Sequence, residues 1–504
     1  MTTISELLRR NVKKWPDRPA LIASHRGRDV ELSFAKLEAA ALSFSVRLSR
    51  RGIRQGDAVL VFIPMSLELY VALLGIFRAG AVAVFLDPSS GLRHINACCR
   101  RVPPAALVGL WPLRGLRPFV GGLRRIPLVF SPPDWNEPFC GSEVPDHATP
   151  DRAALITFTS GSTGEPKAAV RSHRFLLAQY ESLKTAIALE PGERDLTTLP
   201  VFVLANLAAG ITSILPDGKI SRPGSIGVSR MARQIQRLAP SRTGGSPAFY
   251  QRLLEEPASL RSFQKIYTGG APVFPAFLQK LQRLAPAADV VAVYGSTEAE
   301  PIAHISCREI SGQDWQDMRE GRGLLTGRPV PEIDLRIIPD QWGQVARILA
   351  PQAQGLSGEI LVSGPHVLKG YLDGRGDEET KVRSEDKIWH RTGDAGYLDA
   401  AGRLWLLGRC SARISGDGKV LYPFAVECVA MSFPFIRRAA CVVVKMRRLL
   451  VLEVFSRPTD QEFSELKQAL AWSAMDEVRT LQAIPVDRRH NAKVDYPRLM
   501  KMLR

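Results

Sequence analysis

Strand-like apolar runs alternate with helix-patterned segments along most of this chain, which restricts it to architectures in which helices cover sheets. "VAVFLDP" follows a helical stretch at 68–79, "ALITFTSG" precedes a loop and a helix, and "VVAVYGSTE" follows a helical stretch at 275–285. "GEILVSG" and "GRLWLLGR" are short strands bounded by glycine, and "LDAAG" before the second supplies Asp399 and Gly402 for a hairpin turn. After about residue 409 the pattern changes: Ala439 to Lys445 and Leu449 to Phe455 read as paired strands across "MRR", followed by a helix with Phe463, Leu466 and Leu470 on one face. The expected fold class is therefore α/β, with a large domain of mixed sheets and helices over 1–408 and a small α+β domain over 409–504.

The 504 residues are about three times a typical domain length, enough for one large core and a second, smaller one. The most apolar stretch, "LYVALLGIFRAGAVAVFLDP", is interrupted by Arg78 and Gly80, so it reads as a core helix running into a strand and not as a bilayer span. The N-terminal segment puts Ile4, Leu7, Leu8 and Val12 on one helical face, and no secretion signal is expected. Seven cysteines, with Cys98 and Cys99 adjacent and no CxxC spacing, argue for a reducing compartment, by default the cytoplasm. The eight histidines lack HExxH or any paired spacing, which argues against a transition-metal site. Net charge is +17, but the basic groups ("RLSRRGIR", "RPFVGGLRRIP", "KMRRLL") are short, separated and without interleaved aromatics. This argues against a single-strand nucleic-acid groove and favours an arginine-rich background, anionic small-molecule substrates or an acidic protein partner.

Between residues 157 and 167 the sequence "TFTSGSTGEPK" joins hydroxyl side chains, two glycines and a lysine. It is not a GxxxxGK[ST] loop, because the lysine follows proline and alanine follows the lysine. The physics is nevertheless that of an anion grip. Gly161 and Gly164 let backbone N–H groups turn toward a phosphate, Thr159, Ser160, Ser162 and Thr163 add hydroxyl donors, and Lys167 supplies charge. Taken alone, the segment reads equally well as a Gly/Ser surface turn.

Other motifs accompany it in order: "GGAPVFP" at 269–275, "VYGSTEAEP" at 293–301, "GEILVSGPHVLKGY" at 358–371, "HRTGDAGYLDAAGRLWLLGR" at 390–409 and "DRRHNAKVDYPRL" at 487–499. Together they resemble the AMP-forming adenylating superfamily of acyl-CoA synthetases, luciferases and nonribosomal adenylation domains. The resemblance implies ATP and Mg²⁺ as cofactors, a large AMP-binding domain and a small mobile C-terminal lid carrying the catalytic lysine. It implies Glu298 as the Mg²⁺ ligand through hard carboxylate oxygens, Thr297 near the α-phosphate, and Tyr294 with Gly295 beside adenine. Gly270 and Ala271 would bring the backbone close to the purine, while Asp394 and Arg409 would hold the ribose. Lys493 would stabilise charge on the phosphoryl oxygens during in-line attack by a carboxylate. The bland alternatives are a solvated loop carboxylate for Glu298, a core ring for Tyr294, an Asx-turn for Asp394 and surface positions for Arg409 and Lys493.

Departures from the family pattern refine the expectation. Val203 stands where many acyl-CoA synthetases have histidine, and Ser411 and Ala412 occupy the hinge that usually reads Lys then Asp or Glu, although Gly418, Pro423 and Glu427 still match. "LPVFVLANLAAGITSILPD", "SRPGSI", "GSPAFYQRLL" and "IPVDRRHNAKV" look most like the β-lactone synthetases of bacterial olefin biosynthesis. That likeness implies adenylation of a long-chain 2-alkyl-3-hydroxy acid whose own hydroxyl displaces AMP, with no CoA. Two alternatives stay open: a fatty acyl-CoA or acyl-carrier ligase, for which CoA would be a cosubstrate, and an inactive nucleotide-binding interaction subunit. The partner expected is a small hydrophobic acid, lined by Phe202, Leu204 and the segment after Tyr294, with pathway enzymes as further candidates.

Overall fold

The computed structural model describes residues 3–25, 28–87, 90–110, 117–139, 148–160, 165–218, 227–346, 349–416, 419–487 and 493–504. Helices and strands alternate as expected, and the chain resolves into two units: Met1–Gly244 with Pro365–Asp377, and Gly245–Gly364 with Glu378–Arg504.

In the first unit a sheet runs in the order Leu128–Phe130, Ala106–Gly109, Ala58–Phe62, Val82–Phe85, Ala153–Ser160, Pro166–Ser172. Its strands are parallel except for the last pair, where Ala153–Ser160 turns back antiparallel into Pro166–Ser172. The apolar helix falls at Leu67–Arg78 and is buried on every side but Glu68, with Ser66 capping it by accepting from Leu69 N–H at 3.4 Å. A Cβ on Gly75 would stand 2.8 Å from Phe44 Cδ1, so glycine here allows close approach to the helix Phe34–Arg50. Arg78, which interrupts the apolar run, is itself buried and paired with Glu38 at 3.1 Å. A second set of strands in this unit, Arg242–Gly245, Arg194–Thr197, Thr212–Leu215 and Pro19–His25, is parallel, with Arg28–Ser33 antiparallel at its edge.

The N-terminal helix Ile4–Lys14 buries Ile4, Ser5, Leu8 and Asn11, so Asn11 takes the inward place that apolar periodicity assigned to Val12. The reason is two helix-end carbonyls: Asn11 Nδ2 donates to those of Leu207 and Ala208 at 2.7 and 2.8 Å. Such acceptors are costly to leave unpaired once buried.

In the second unit Lys265–Gly269 lies parallel to Asp289–Ser296, and Ala299–Ser306, Leu324–Pro329, Leu404–Arg409, Lys387–Leu398, Gly358–Ser363 and Asp334–Ile338 continue the sheet antiparallel. The turn at Asp399 and Gly402 forms as read, with Gly402 N–H donating to Asp399 O at 2.9 Å and Gly402 at φ +73°.

Toward the C-terminus, Ile436–Val444 pairs with Arg447–Val454, which lies parallel to Glu477–Thr480. The connecting turn is Lys445-Met446 rather than "MRR", with φ values of 49° and 64°. A two-residue loop with positive φ at both positions matches strand twist, but without Asn or Gly the sequence does not advertise it. Alternate residues of these strands feed two cores. Cys441, Leu450 and Leu452 pack with Val426, Val429, Phe435 and Leu466, while Val442, Val444, Leu449 and Val451 pack with Leu499 and Leu503 on the other face. The sheet is thus covered on one side by the helices Pro423–Ala430 and Asp460–Ala469 and on the other by Tyr496–Leu503.

Candidate active site

Parallel pairing sets Gly269 opposite Val293, so the carboxyl ends of Lys265–Gly269 and Asp289–Ser296 finish side by side. In open α/β sheets this edge is where ligands bind. Gly270 follows at φ +77°, a backbone glycine adopts without strain, with Ala271 next to it. Tyr294 and Gly295 end the second strand, and Thr297 and Glu298 form the turn into Ala299–Ser306, where Glu298 N–H donates to Ser296 Oγ at 3.2 Å. A Cβ on Gly295 would sit 3.0 Å from Ala299 O, so a larger residue there would crowd the turn.

Asp394 and Arg409 are cross-strand partners on Lys387–Leu398 and Leu404–Arg409. Tyr294 O–H donates to Asp394 Oδ2 at 2.8 Å, Arg409 Nε lies 3.2 Å from Asp394 Oδ1, and Arg409 Nη1 donates to Thr392 O at 3.0 Å. Asp394 N–H in turn donates to Thr392 Oγ1 at 3.0 Å. Three residues drawn from two widely separated motifs therefore form one polar constellation. Burial, then the Asp394 charge, drives the Tyr294 hydroxyl far above its ordinary range, so it stays protonated as a donor. The Asp394 charge also holds Arg409 up. Glu298 is half-buried, and its carboxylate acts electrostatically on Arg409 and on His390.

His390 was not singled out from the sequence. It is buried, with Lys381 Nζ 3.1 Å from its Nδ1, and burial followed by the Lys381 charge pushes it down to about 3, so it is neutral at physiological pH. One residue on, Arg391 makes a two-pronged pair with Glu359 through Nε and Nη2, both at 2.7 Å, with both side chains buried. The signal for this group is "HRTGD" itself, a run of polar residues inside an otherwise apolar strand.

In the first unit Thr159 is the cross-strand partner of Lys167, so both stand at the mouth of the antiparallel turn. Lys167 is buried, with its Nζ 5.8 Å from the centroid of the Tyr371 ring, and Ala169 bridges to Tyr371. Ser160 is described by its backbone, paired with Pro166, while Gly161, Ser162, Thr163 and Gly164 lie outside the described residues. Lys493 closes a narrow hairpin: its N–H donates to Asp487 Oδ1 at 2.9 Å, and Asp487 N–H donates back to Lys493 O at 2.8 Å. Gly270, Ala271, Tyr294, Gly295, Thr297, Glu298, Asp394 and Arg409 all belong to the second unit; Thr159, Ser160 and Lys167 belong to the first.

The chain belongs to the AMP-binding enzyme family, whose pattern matches residues 8–372. Two relatives with the name olefin β-lactone synthetase, from Xanthomonas campestris pv. campestris and Stenotrophomonas maltophilia, are 32% and 31% identical, each over 94% of this chain and 90% and 91% of their own. A Mycobacterium tuberculosis enzyme named as a CoA ligase for a methyl-dioxo-octahydroindenyl propanoyl group is 28% identical over 89% of this chain and 87% of its own. Among solved structures, the amide bond synthetase McbA of Marinactinospora thermotolerans superposes with a TM-score of 0.82 at 21% identity, covering 99% of this chain and all of its own. O-succinylbenzoate coenzyme A synthetase of Bacillus subtilis in complex with AMP gives 0.79 at 22%, covering 99% and 98%. Among the described residues no helix is long and apolar enough to cross a membrane.

Proposed function

We propose that this enzyme activates a long-chain 2-alkyl-3-hydroxy acid with ATP and closes it to a β-lactone. The observation that carries the reading is the identity of 31–32% over 94% of the chain to two relatives so named, against 28% or less for the CoA ligases. In the first step a carboxylate oxygen attacks the α-phosphorus and pyrophosphate leaves. Asp394 accepts from the ribose hydroxyls while Tyr294 and Arg409 hold its two oxygens in place, and the Tyr294 ring, with Gly270 and Ala271, flanks the purine. Lys167 with the hydroxyls of Thr159 and Ser160 grips the departing phosphates, and Lys493 stabilises the charge spread over the phosphoryl oxygens. In the second step the 3-hydroxyl oxygen attacks the acyl carbon, AMP departs with the bonding electrons of the acyl–phosphate bond, and the hydroxyl proton passes to solvent water.

Glu298 is the residue that would hold Mg²⁺, which supplies charge neutralisation at the phosphates. Among the described residues no three His, Cys, Asp or Glu side chains cluster as a metal cage. That suits Mg²⁺, which takes one or two carboxylates and completes its shell with phosphate and water.

The segment after Arg409 also supports an internal acceptor. Asp340 accepts from Arg413 Nη1 at 3.0 Å, Tyr422 O–H at 2.9 Å and Trp342 N–H at 3.0 Å. This ties the chain just after Ser411 and Ala412 to one carboxylate at two points, Arg413 and Tyr422. A pinned hinge suits chemistry in which no external thiol has to be admitted.

The residues 409–504, with cores formed from their own side chains, would act as the lid that carries Lys493. The CoA-ligase reading is favoured by the several relatives named as such. The test is product analysis by mass spectrometry and NMR after incubation with ATP, Mg²⁺ and a racemic long-chain 2-alkyl-3-hydroxy acid, with and without CoA. β-Lactone and AMP in the tube lacking CoA are the expected result; thioester appearing only with CoA, and no lactone, would overturn the reading.

A further inference from the structure

A hairpin that carries a reactive lysine is useful only if its base fixes where it points. The Lys493 hairpin is internally tied at Asp487/Lys493, at the Val486–Val494 bridge, and where Asp495 N–H donates to Pro485 O at 2.9 Å. Two buried carboxylates grip its base. On the incoming side Glu453 accepts from Ile484 N–H at 2.9 Å, itself paired with Arg437 and Arg438. On the outgoing side Glu427, only 2% exposed, accepts from Tyr496 O–H at 2.6 Å and from Cys441 N–H at 3.0 Å.

Glu427 also connects this hairpin to the strand bearing Arg409. Its helix Pro423–Ala430 packs on Leu404–Arg409 so tightly that a Cβ on Gly408 would stand 3.2 Å from Pro423 Cδ. The Arg409 charge reaches the Tyr496 hydroxyl. One helix therefore touches the strand that presents Arg409 and, through one hydrogen bond, the element that presents Lys493. A carboxyl only 2% exposed, on a helix whose Val426 and Val429 feed the small core, is an expensive way to fill space. Apolar packing tolerates sliding, whereas a 2.6 Å hydrogen bond specifies a single atom's position.

We propose that Glu427 and Tyr496 are a positioning pair that sets the reach of Lys493 relative to the strand bearing Arg409. The proposal rests on the reading of Lys493 as the lysine of the adenylation step. The pair does not touch substrate; it acts through the lysine, and small misplacements of such a group are costly, on the order of a hundredfold for about 1 Å.

The experiment uses the full chain carrying Tyr496→Phe, Glu427→Gln, Glu427→Leu or Lys493→Ala. It measures pyrophosphate exchange with ATP and the long-chain 2-alkyl-3-hydroxy acid, and amide hydrogen exchange of the peptide spanning 493–496. Tyr496→Phe and Glu427→Leu are expected to lower kcat about tenfold with the KM for ATP within about twofold, and to speed amide exchange in that peptide about tenfold while the strand Arg447–Val454 keeps its protection. Glu427→Gln, which keeps an acceptor for both donors, is expected to stay within about threefold of the parent. Unchanged kcat and unchanged protection of 493–496 in Tyr496→Phe would overturn the pair, as would loss of protection across the whole small sheet with kcat per folded molecule preserved. Full exchange activity in Lys493→Ala would instead remove the role of the lysine, and the amide exchange would still report whether Tyr496 anchors the hairpin.

Discussion

Replacing Tyr294 with phenylalanine separates its two jobs, because the ring that would flank adenine stays and only the hydroxyl is lost. That hydroxyl donates to Asp394 Oδ2 at 2.8 Å, and a hydrogen bond to an ionised acceptor is worth roughly 1.5–3 kcal/mol. The Asp394 side chain is 17% exposed and retains Arg409 on its other oxygen, so water compensates part of the loss and the lower end applies. About 1.5 kcal/mol corresponds to roughly tenfold in affinity. The expected outcome is a KM for ATP in pyrophosphate exchange raised about tenfold, with kcat changed much less. Calorimetric binding of ATP and of 2′,3′-dideoxy-ATP to the parent and Tyr294→Phe identifies the route. The dideoxy nucleotide lacks the groups Asp394 would accept from, so it should bind both proteins about equally weakly. Equal weakening of ATP and its dideoxy analogue by Tyr294→Phe would refute the ribose argument, and an unchanged KM would refute the coupling between Tyr294 and Asp394 altogether.

Three further outcomes follow from the geometry. Gly376 sits at φ +97°, and a Cβ there would lie 2.7 Å from both Cδ and Cε of Lys167; Gly376→Ala should displace that lysine and weaken ATP binding about tenfold or more, read by calorimetry, with Lys167→Met as the reference loss. Arg391→Met strands the buried Glu359 carboxylate and should cost about 3–5 kcal/mol in denaturant unfolding, whereas Arg391→Met with Glu359→Leu should recover most of it, because neither charge is then left alone. Burial pushes the Glu427 carboxyl from its ordinary 4.5 up to about 7, so the folded chain binds more protons between those values. Its contribution to stability is therefore full below pH 4.5 and lost as pH rises toward 7. Stability of the parent relative to Glu427→Gln should fall by roughly 3 kcal/mol over that window and level off above it, as measured by denaturant midpoints across pH.

The sequence made tight turns legible because type and local spacing are enough to name them: a glycine where φ is positive at 270, and an aspartate and glycine at the 399–402 turn. It concealed what depends on distant partners. Arg78 reads as a flaw in an apolar run until Glu38 is placed beside it, and Val12 outranks Asn11 until two carbonyls from residues 207 and 208 arrive. The stretch 365–377 returns to the first unit across more than a hundred intervening residues, and no local pattern announces that. Lys445 and Met446 turn a hairpin without glycine because the cores on both faces of the sheet fix the register, and the backbone yields where the strands require it.

The same division runs through the site. Tyr294, Asp394 and Lys493 can each be named from their motifs, but the bonds that aim them, Tyr294 to Asp394 and Tyr496 to Glu427, span 100 and 69 residues. Both bonds use a tyrosine hydroxyl that burial keeps protonated, one on a carboxylate beside Arg409 and one on a carboxyl inside the small core. A hydroxyl takes one acceptor site on each acid and leaves the others, so Asp394 keeps acceptor capacity for a ligand and Glu427 accepts from Cys441 N–H as well. Removing either hydroxyl leaves the ring in place and frees the acid it holds, so the hydroxyl, and not merely the ring, is what aims these two positions.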